Sequence, residues 1–171
     1  MSSMGWVLSN YLNSGVEPIA YGNENPTSAP SGTFNTSHGL LNIAANKDEH
    51  WTALTDFLGL AYLRDKPQYA TREARKVNRK KLKKELEKKL NKQSAETWAQ
   101  ELNGLGIPAG EVLTVAQALQ AHEISESNFL TEYKDVPEVK RNLKLVTTGI
   151  KLDGEHPTTA NPPPALGAQN E

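Results

Sequence analysis

The residues in this sequence that could do chemistry are its carboxylates, its four histidines and one dense run of lysines and arginines. His38, His50, His122 and His156 are scattered. No two stand at i, i+3 or i, i+4, the spacings that bring a pair of imidazoles to one metal ion on a helix, so no metal centre is expected. The chain has no cysteine, which excludes disulfides, thiolate metal sites and thiol nucleophiles together. Ser, His and Asp are all present, but no nucleophile-elbow sequence marks a triad. Gly104-Leu105-Gly106 has Ala109 where a dinucleotide loop needs its third glycine. It also follows a helical pattern rather than a strand, so it reads as a helix stop. Asp48-Glu49 and Asp56 are candidate acid–base groups, yet acidic residues in a first helical turn complement the positive end of the helix dipole, and that accounts for them.

The basic run is the loudest compositional signal. Between Arg72 and Lys92 there are eleven Lys and Arg against Glu73, Glu85 and Glu87, a local net charge of +8. The rest of the chain carries 8 basic and 17 acidic residues, so the total of −1 conceals a strong asymmetry. Clustered cations release counterions from phosphates, which makes an interaction module binding an acidic partner or nucleic acid through 72–92 the alternative function. No base-stacking aromatic and no nucleic-acid-binding motif accompanies the run, and a solvated helix face explains it, so no nucleic-acid partner is expected. Lys and Arg occur on nearly every side of the predicted helix, as in a poorly buried element.

The elements that would position any site centre on Gly32–Gly59. Gly32–Ser37 and Leu40–Ala45 are β-type runs around a glycine-containing loop and predict a hairpin. Asn46 with Glu49 three residues later predicts a capping box. Trp51, Leu54, Phe57 and Leu58 then give one apolar helix face. Thr71 predicts a cap for a long helix to about Asn91 with the stripe Val77, Leu82, Leu86 and Leu90. Ser94 predicts a cap for a helix carrying Trp98 and Leu102, stopped by Gly104 and Gly106. Glu111–Leu113 is a short strand candidate. Thr114 with Gln117 predicts a second capping box and a helix through Leu119, continuing in some form to Ser125. Phe129–Tyr133 and Leu143–Val146 predict strands. Before all of these, Trp6–Leu12 is a helical stripe ended by Asn13-Ser14-Gly15, and Val16–Ser31 reads as an extended linker. After them, Pro157–Glu171 is a proline-rich extended tail.

At 171 residues and 37% apolar composition, one domain or one and a half with a modest core is expected. No apolar run approaches the roughly eighteen residues of a membrane span, and no signal-peptide pattern opens the chain, so no membrane partner and a cytoplasmic location are expected. The fold class is α+β: a small antiparallel sheet with several helices and an extended C-terminal segment. The expected divisions are 1–31 as helix and linker, 32–130 as the α+β domain, and 131–171 as strands and tail.

A set of ordered blocks carries a resemblance. Gly22-Asn23-Glu24-Asn25-Pro26 and Ala29-Pro30 come first, then Asp65-Lys66-Pro67-Gln68-Tyr69-Ala70-Thr71 leading to Arg72, Arg75 and Asn78-Arg79. Gly106-Ile107-Pro108-Ala109-Gly110-Glu111-Val112 and Pro162-Pro163-Pro164-Ala165-Leu166-Gly167 follow. In this order the blocks resemble the C-terminal part of a family III CoA-transferase, a family that also includes carnitine-CoA transferase, formyl-CoA transferase and α-methylacyl-CoA racemase. The resemblance runs from about Trp6 to Gly167.

The resemblance implies an enzyme that moves CoA between an acyl-CoA and a carboxylic acid. It uses no covalently bound cofactor, with CoA thioesters as substrates, and works through a nucleophilic aspartate. In the family that aspartate and most of the CoA site lie in the N-terminal half, to which no segment here corresponds. No catalytic residue is therefore assigned in this chain, which is expected to be inactive alone. The resemblance makes Trp6–Leu12 the end of a long helix from the large domain. The rest becomes the small domain and return segment of an interlocked dimer, needing a homo-oligomer or a separate N-terminal chain. Asn23 and Asn46 are the residues expected to line the acyl-CoA cleft. Glu24–Ser31 is not glycine-rich, which argues against the formyl-CoA branch. Lys47 stands where the racemase branch carries a glutamate, which disfavours a racemase.

Overall fold

The computed structural model describes residues 4–126, 129–136, 139–157, 159 and 161–168. The chain forms two compact units, Met1–Val112 and Leu113–Glu171.

The first unit opens with helix α1 (Gly5–Ser14), which buries none of its residues. It ends as the sequence requires. Gly15 takes the left-handed conformation at φ 68° and its N–H caps the Tyr11 carbonyl, a geometry that costs glycine nothing. The linker then delivers the chain to strand β1 (Ser31–Asn35), which pairs antiparallel with β2 (Leu40–Ala44) so that Phe34 faces Leu41 and Gly32 faces Ile43. β3 (Ala109–Glu111) joins the free edge of β2, also antiparallel. The strand expected at Glu111–Leu113 thus ends where it was expected to begin. Leu41 and Ile43 are buried while Leu40 and Asn42 are exposed, the period-two alternation of a sheet with one covered face.

Helix α2 (Asp48–Phe57) supplies Trp51, Leu54 and, just beyond it, Leu58 to the core. Phe57, expected on the same face, is 42% exposed and meets the ring of Trp98 edge-on at 6.0 Å. A 3-10 turn (Ala61–Leu63) and the short helix α3 (Pro67–Ala70) lead to Thr71, whose hydroxyl accepts the Ala74 N–H as predicted for a cap. The long helix is interrupted, however. α4 (Arg72–Val77) stops at Asn78, and α5 (Arg79–Leu90) starts anew after it. Asn78 has left helical geometry, and its side-chain amide donates to the Ala74 and Gln68 carbonyls. The break rotates Val77 off the stripe to 85% exposure, while Leu82, Leu86 and Leu90 are wholly buried. The basic helix is therefore a core element with a solvated back, rather than the poorly buried one expected from its composition. Helix α6 (Ala95–Gly104) is capped by Ser94, which accepts the Thr97 N–H, and buries Trp98 and Leu102. Trp98 Nε1 donates to the Leu90 carbonyl at 2.7 Å, locking α6 onto the end of α5. These side chains form one apolar cluster beneath the sheet.

In the second unit, Thr114 and Gln117 make the expected capping box at the start of α7 (Val115–Gln120). At Ala121 the chain turns extended, and α8 (His122–Glu126) follows as a separate piece instead of one continuous helix. β4 (Leu130–Val136) and β5 (Arg141–Val146) form an antiparallel hairpin, irregular between Tyr133 and Val136. Residues 137 and 138 of the turn expected between them, and 158, 160 and 169–171 of the expected tail, lie outside the described residues. Among the described residues of this unit Val136 alone is a buried hydrophobic. The Tyr133 hydroxyl meets the Thr159 hydroxyl at 2.7 Å and ties the extended tail to the hairpin. The whole is α+β, as read from the sequence. Among the described residues no helix is long and apolar enough to cross a membrane.

Candidate functional site

Where the linker folds over the edge of β1 and β2, the first unit has an open depression of about 540 Å³. Asn23 and Asn46, the two residues singled out from the sequence, both line it, and so do Glu24, Asn25, Ser31 and Asn42. Side-chain amides and hydroxyls share the wall with the apolar surfaces of Trp6, Pro26 and Ala44. Its only charged lining residue is Glu24.

The linker holds its shape through a local network. Asn25 Oδ1 accepts both the backbone N–H and the hydroxyl of Thr27 at 2.8 Å, an Asx turn of the kind an Asn-Pro-Thr sequence favours. The Asn25 N–H donates to the Ser31 carbonyl, returning the loop to β1. Glu24 lies against Gly32. A Cβ at Gly32, where φ is 148°, would sit 2.7 Å from Glu24 Oε2 and 3.0 Å from the Asn23 carbonyl oxygen, so a side chain there would strain the backbone and displace the Glu24 carboxylate. The Glu24 carboxylate is held in turn by Lys83 at 3.4 Å and Arg79 at 3.6 Å, and the Arg79 guanidinium lies over the Tyr21 ring. Part of the basic run thus serves as the clamp on this loop.

Asn46 does not do what its spacing to Glu49 predicts. The N-cap of α2 is Lys47, and no side chain caps the helix. Asn46 Oδ1 instead accepts from the Ser28 hydroxyl at 2.5 Å and from Asn25 Nδ2 at 3.5 Å, across 18 and 21 residues of chain. A tertiary partner has displaced the local one, and the start of α2 is left to the dipole complement of Asp48 and Glu49. The Asn46 carbonyl is fixed from the other side by Arg72 Nη2 at 2.9 Å. Arg75 anchors the same loop from below. Only 2% exposed, it donates to the carbonyls of Ala29 and Tyr69 and to Asp48 Oδ1 at 2.7 Å, with its guanidinium over the Trp51 ring.

Asn25, Ser28, Thr27 and Asn42 were missed by sequence reasoning. The Asn-x-x-Ser spacing from Asn25 to Ser28 and the outward position of Asn42 in an alternating strand were the available signals. The His38 carbonyl accepts the Ala95 N–H, which pins the hairpin tip to α6, and no metal-binding group of three acidic or histidine residues occurs among the described residues. A hydrogen bond from Arg64 holds the Asp56 carboxyl below its usual range and raises Arg64, while a hydrogen bond to Glu85 raises Lys88.

Comparison with known proteins gives a consistent result. Residues 1–170 match the profile of CoA-transferase family III. The acetyl-CoA:oxalate CoA-transferase of Acetobacter aceti is 32% identical over 116 residues, covering 68% of this chain and 30% of that protein. The succinate–glutarate CoA-transferase of Agrobacterium fabrum is 32% identical over 153 residues, covering 86% of this chain and 38% of that protein. A CAIB/BAIF family protein from Brucella suis superposes with a TM-score of 0.78 at 27% identity, over 98% of this chain and 42% of that one. The chain spans about a third of the length of the curated relatives it matches.

Proposed function

The chain belongs to CoA-transferase family III, and from that premise we propose that it supplies the small-domain portion of an enzyme moving CoA between an acyl-CoA and a carboxylic acid. The observation that carries the reading is the joint placement of Asn23 and Asn46 on one depression, within a segment matched by the family from end to end. In this reading the depression is the small-domain wall of the acyl-CoA cleft. The nucleophilic aspartate and the main CoA site come from the part of the family's fold that this chain does not match, contributed by an oligomeric arrangement or a separate chain. Alone, the 171-residue chain is then inactive. Lys47, a cation beside the cleft at the head of α2, supports a transferase over a racemase, because an ammonium cannot do the work of a carboxylate base.

Isothermal titration of the purified chain with CoA and acetyl-CoA, run beside a CoA-transfer assay, tests this. No turnover and no binding at micromolar ligand is the expected result. Transfer by the chain alone would mean that one of its own carboxylates is the nucleophile, and the reading would be wrong.

A further inference from the structure

The amide network fixes which way the cleft wall presents its polarity. A backbone N–H can only donate, so the bond from Thr27 N–H assigns Asn25 Oδ1 as the acceptor and leaves Asn25 Nδ2 as the donor end. Asn25 Nδ2 faces Asn46, so the Asn46 atom it meets must be Oδ1, which the Ser28 hydroxyl also engages. The Asn46 Nδ2 group then has no protein partner among the described residues, on a side chain that lines the depression. A free donor at that point is dictated by Thr27, two residues along a different segment. The rest of the wall contains no lysine, arginine or histidine, and its one carboxylate, Glu24, already faces Lys83 and Arg79.

We propose that Asn46 is a substrate-binding residue whose Nδ2 amide donates to a neutral carbonyl oxygen, that of the acyl thioester, with Ser28 and Asn25 as positioning residues that hold the amide in that orientation. This deepens, and rests on, the CoA-transferase reading. A free carboxylate is the poorer occupant. The lining itself offers it no charge-assisted partner. The cations nearest Asn46 are Lys47, next to it in the chain, and Arg72, whose Nη2 is already engaged with the Asn46 carbonyl.

The test is side-chain and backbone amide NMR of the full chain, titrated with acetyl-CoA and separately with succinate up to about 10 mM, where a Kd of order 1 mM still gives near-saturation. Acetyl-CoA should shift the Asn46 Nδ2 protons saturably, and succinate should leave them in place. In Asn46→Asp, which keeps the acceptor for Ser28 but replaces the donor, the shifts at the Asn25 and Asn46 backbone amides should fall several-fold. Ser28→Ala, which frees the amide to rotate, should weaken them with the fold intact by the remaining spectrum. A succinate shift as large as that of acetyl-CoA would overturn the inference. So would a saturable acetyl-CoA shift confined to other residues, an outcome that leaves the transferase reading standing. No perturbation anywhere by acetyl-CoA would overturn the inference and leave the transferase reading, which the transfer assay tests, standing.

Discussion

The molecule contains two hairpins of similar length with opposite fates. In β1–β2, Phe34, Leu41 and Ile43 are buried beneath α2, α5 and α6 in a single cluster. In β4–β5, Val136 is buried and the other described positions are exposed or half-exposed. Both are antiparallel pairs, the second interrupted between Tyr133 and Val136, so pairing alone does not distinguish them. Cover does. An isolated two-stranded hairpin is marginal in water, and the first hairpin is secured by the helices its own segment brings back over it. Within its own unit the second has a proline-rich strand of chain and the Tyr133–Thr159 contact to work with. The curated relatives are more than twice as long as this chain, and that exposed hairpin is where we would look for the surface another part of the enzyme covers.

Core deletion should expose this contrast most sharply. Leu86→Ala should cost about 2–5 kcal/mol by chemical denaturation, since the side chain is wholly buried. Leu143→Ala in β5 should cost about 1 kcal/mol or less. Equal costs would mean the second hairpin is covered in solution, by self-association for instance, and sedimentation would then show the oligomer.

Arg75→Ala should follow at about 3 kcal/mol, because it strands the Ala29 and Tyr69 carbonyls that Arg75 satisfies in the core. A change below about 1 kcal/mol would show that water replaces the guanidinium and that the loop needs no such anchor.

The caps give a finer comparison. Ser94→Ala and Thr114→Ala each remove one helix cap, worth about 1 kcal/mol. The first should lower global stability. The second caps a helix with no buried residue, so its loss should appear in amide exchange of α7 and leave the denaturation midpoint unchanged. Smallest of all is the Arg64–Asp56 pair, exposed and 2.7 Å long. Asp56 has a depressed folded pKa, so its contribution is present above the usual carboxylate range and is lost as pH falls through the folded value. The stability difference between wild type and Asp56→Asn should therefore shrink on acidification, in denaturation curves recorded from neutral pH downwards.

Much of this was legible from residue order. Gly15, Thr71, Ser94 and Thr114 end or start helices where they should, because a cap is decided by atoms within about four residues of one another. The hairpin at 31–44 and the α+β class follow from alternation and helical spacing in the same way. The failures are instructive for being local signals outbid by distant groups. Asn46 and Glu49 have the spacing of a capping box, yet Ser28 claims the Asn46 oxygen. The stripe from Val77 to Leu90 has the period of one helix, yet Asn78 breaks it so that Arg75 can reach the loop at Ala29 and Leu82 can face the core.

The sequence by itself determined the first hairpin, most of the helix caps, the fold class and the family, all of which depend on short-range geometry or on ordered blocks. The depression belongs to the tertiary structure alone. Its donors come from segments about twenty residues apart, and the orientation of Asn46 is set by a backbone N–H at Thr27 through Asn25. A chain of hydrogen bonds has a direction only once its members touch, and no spacing rule encodes that contact.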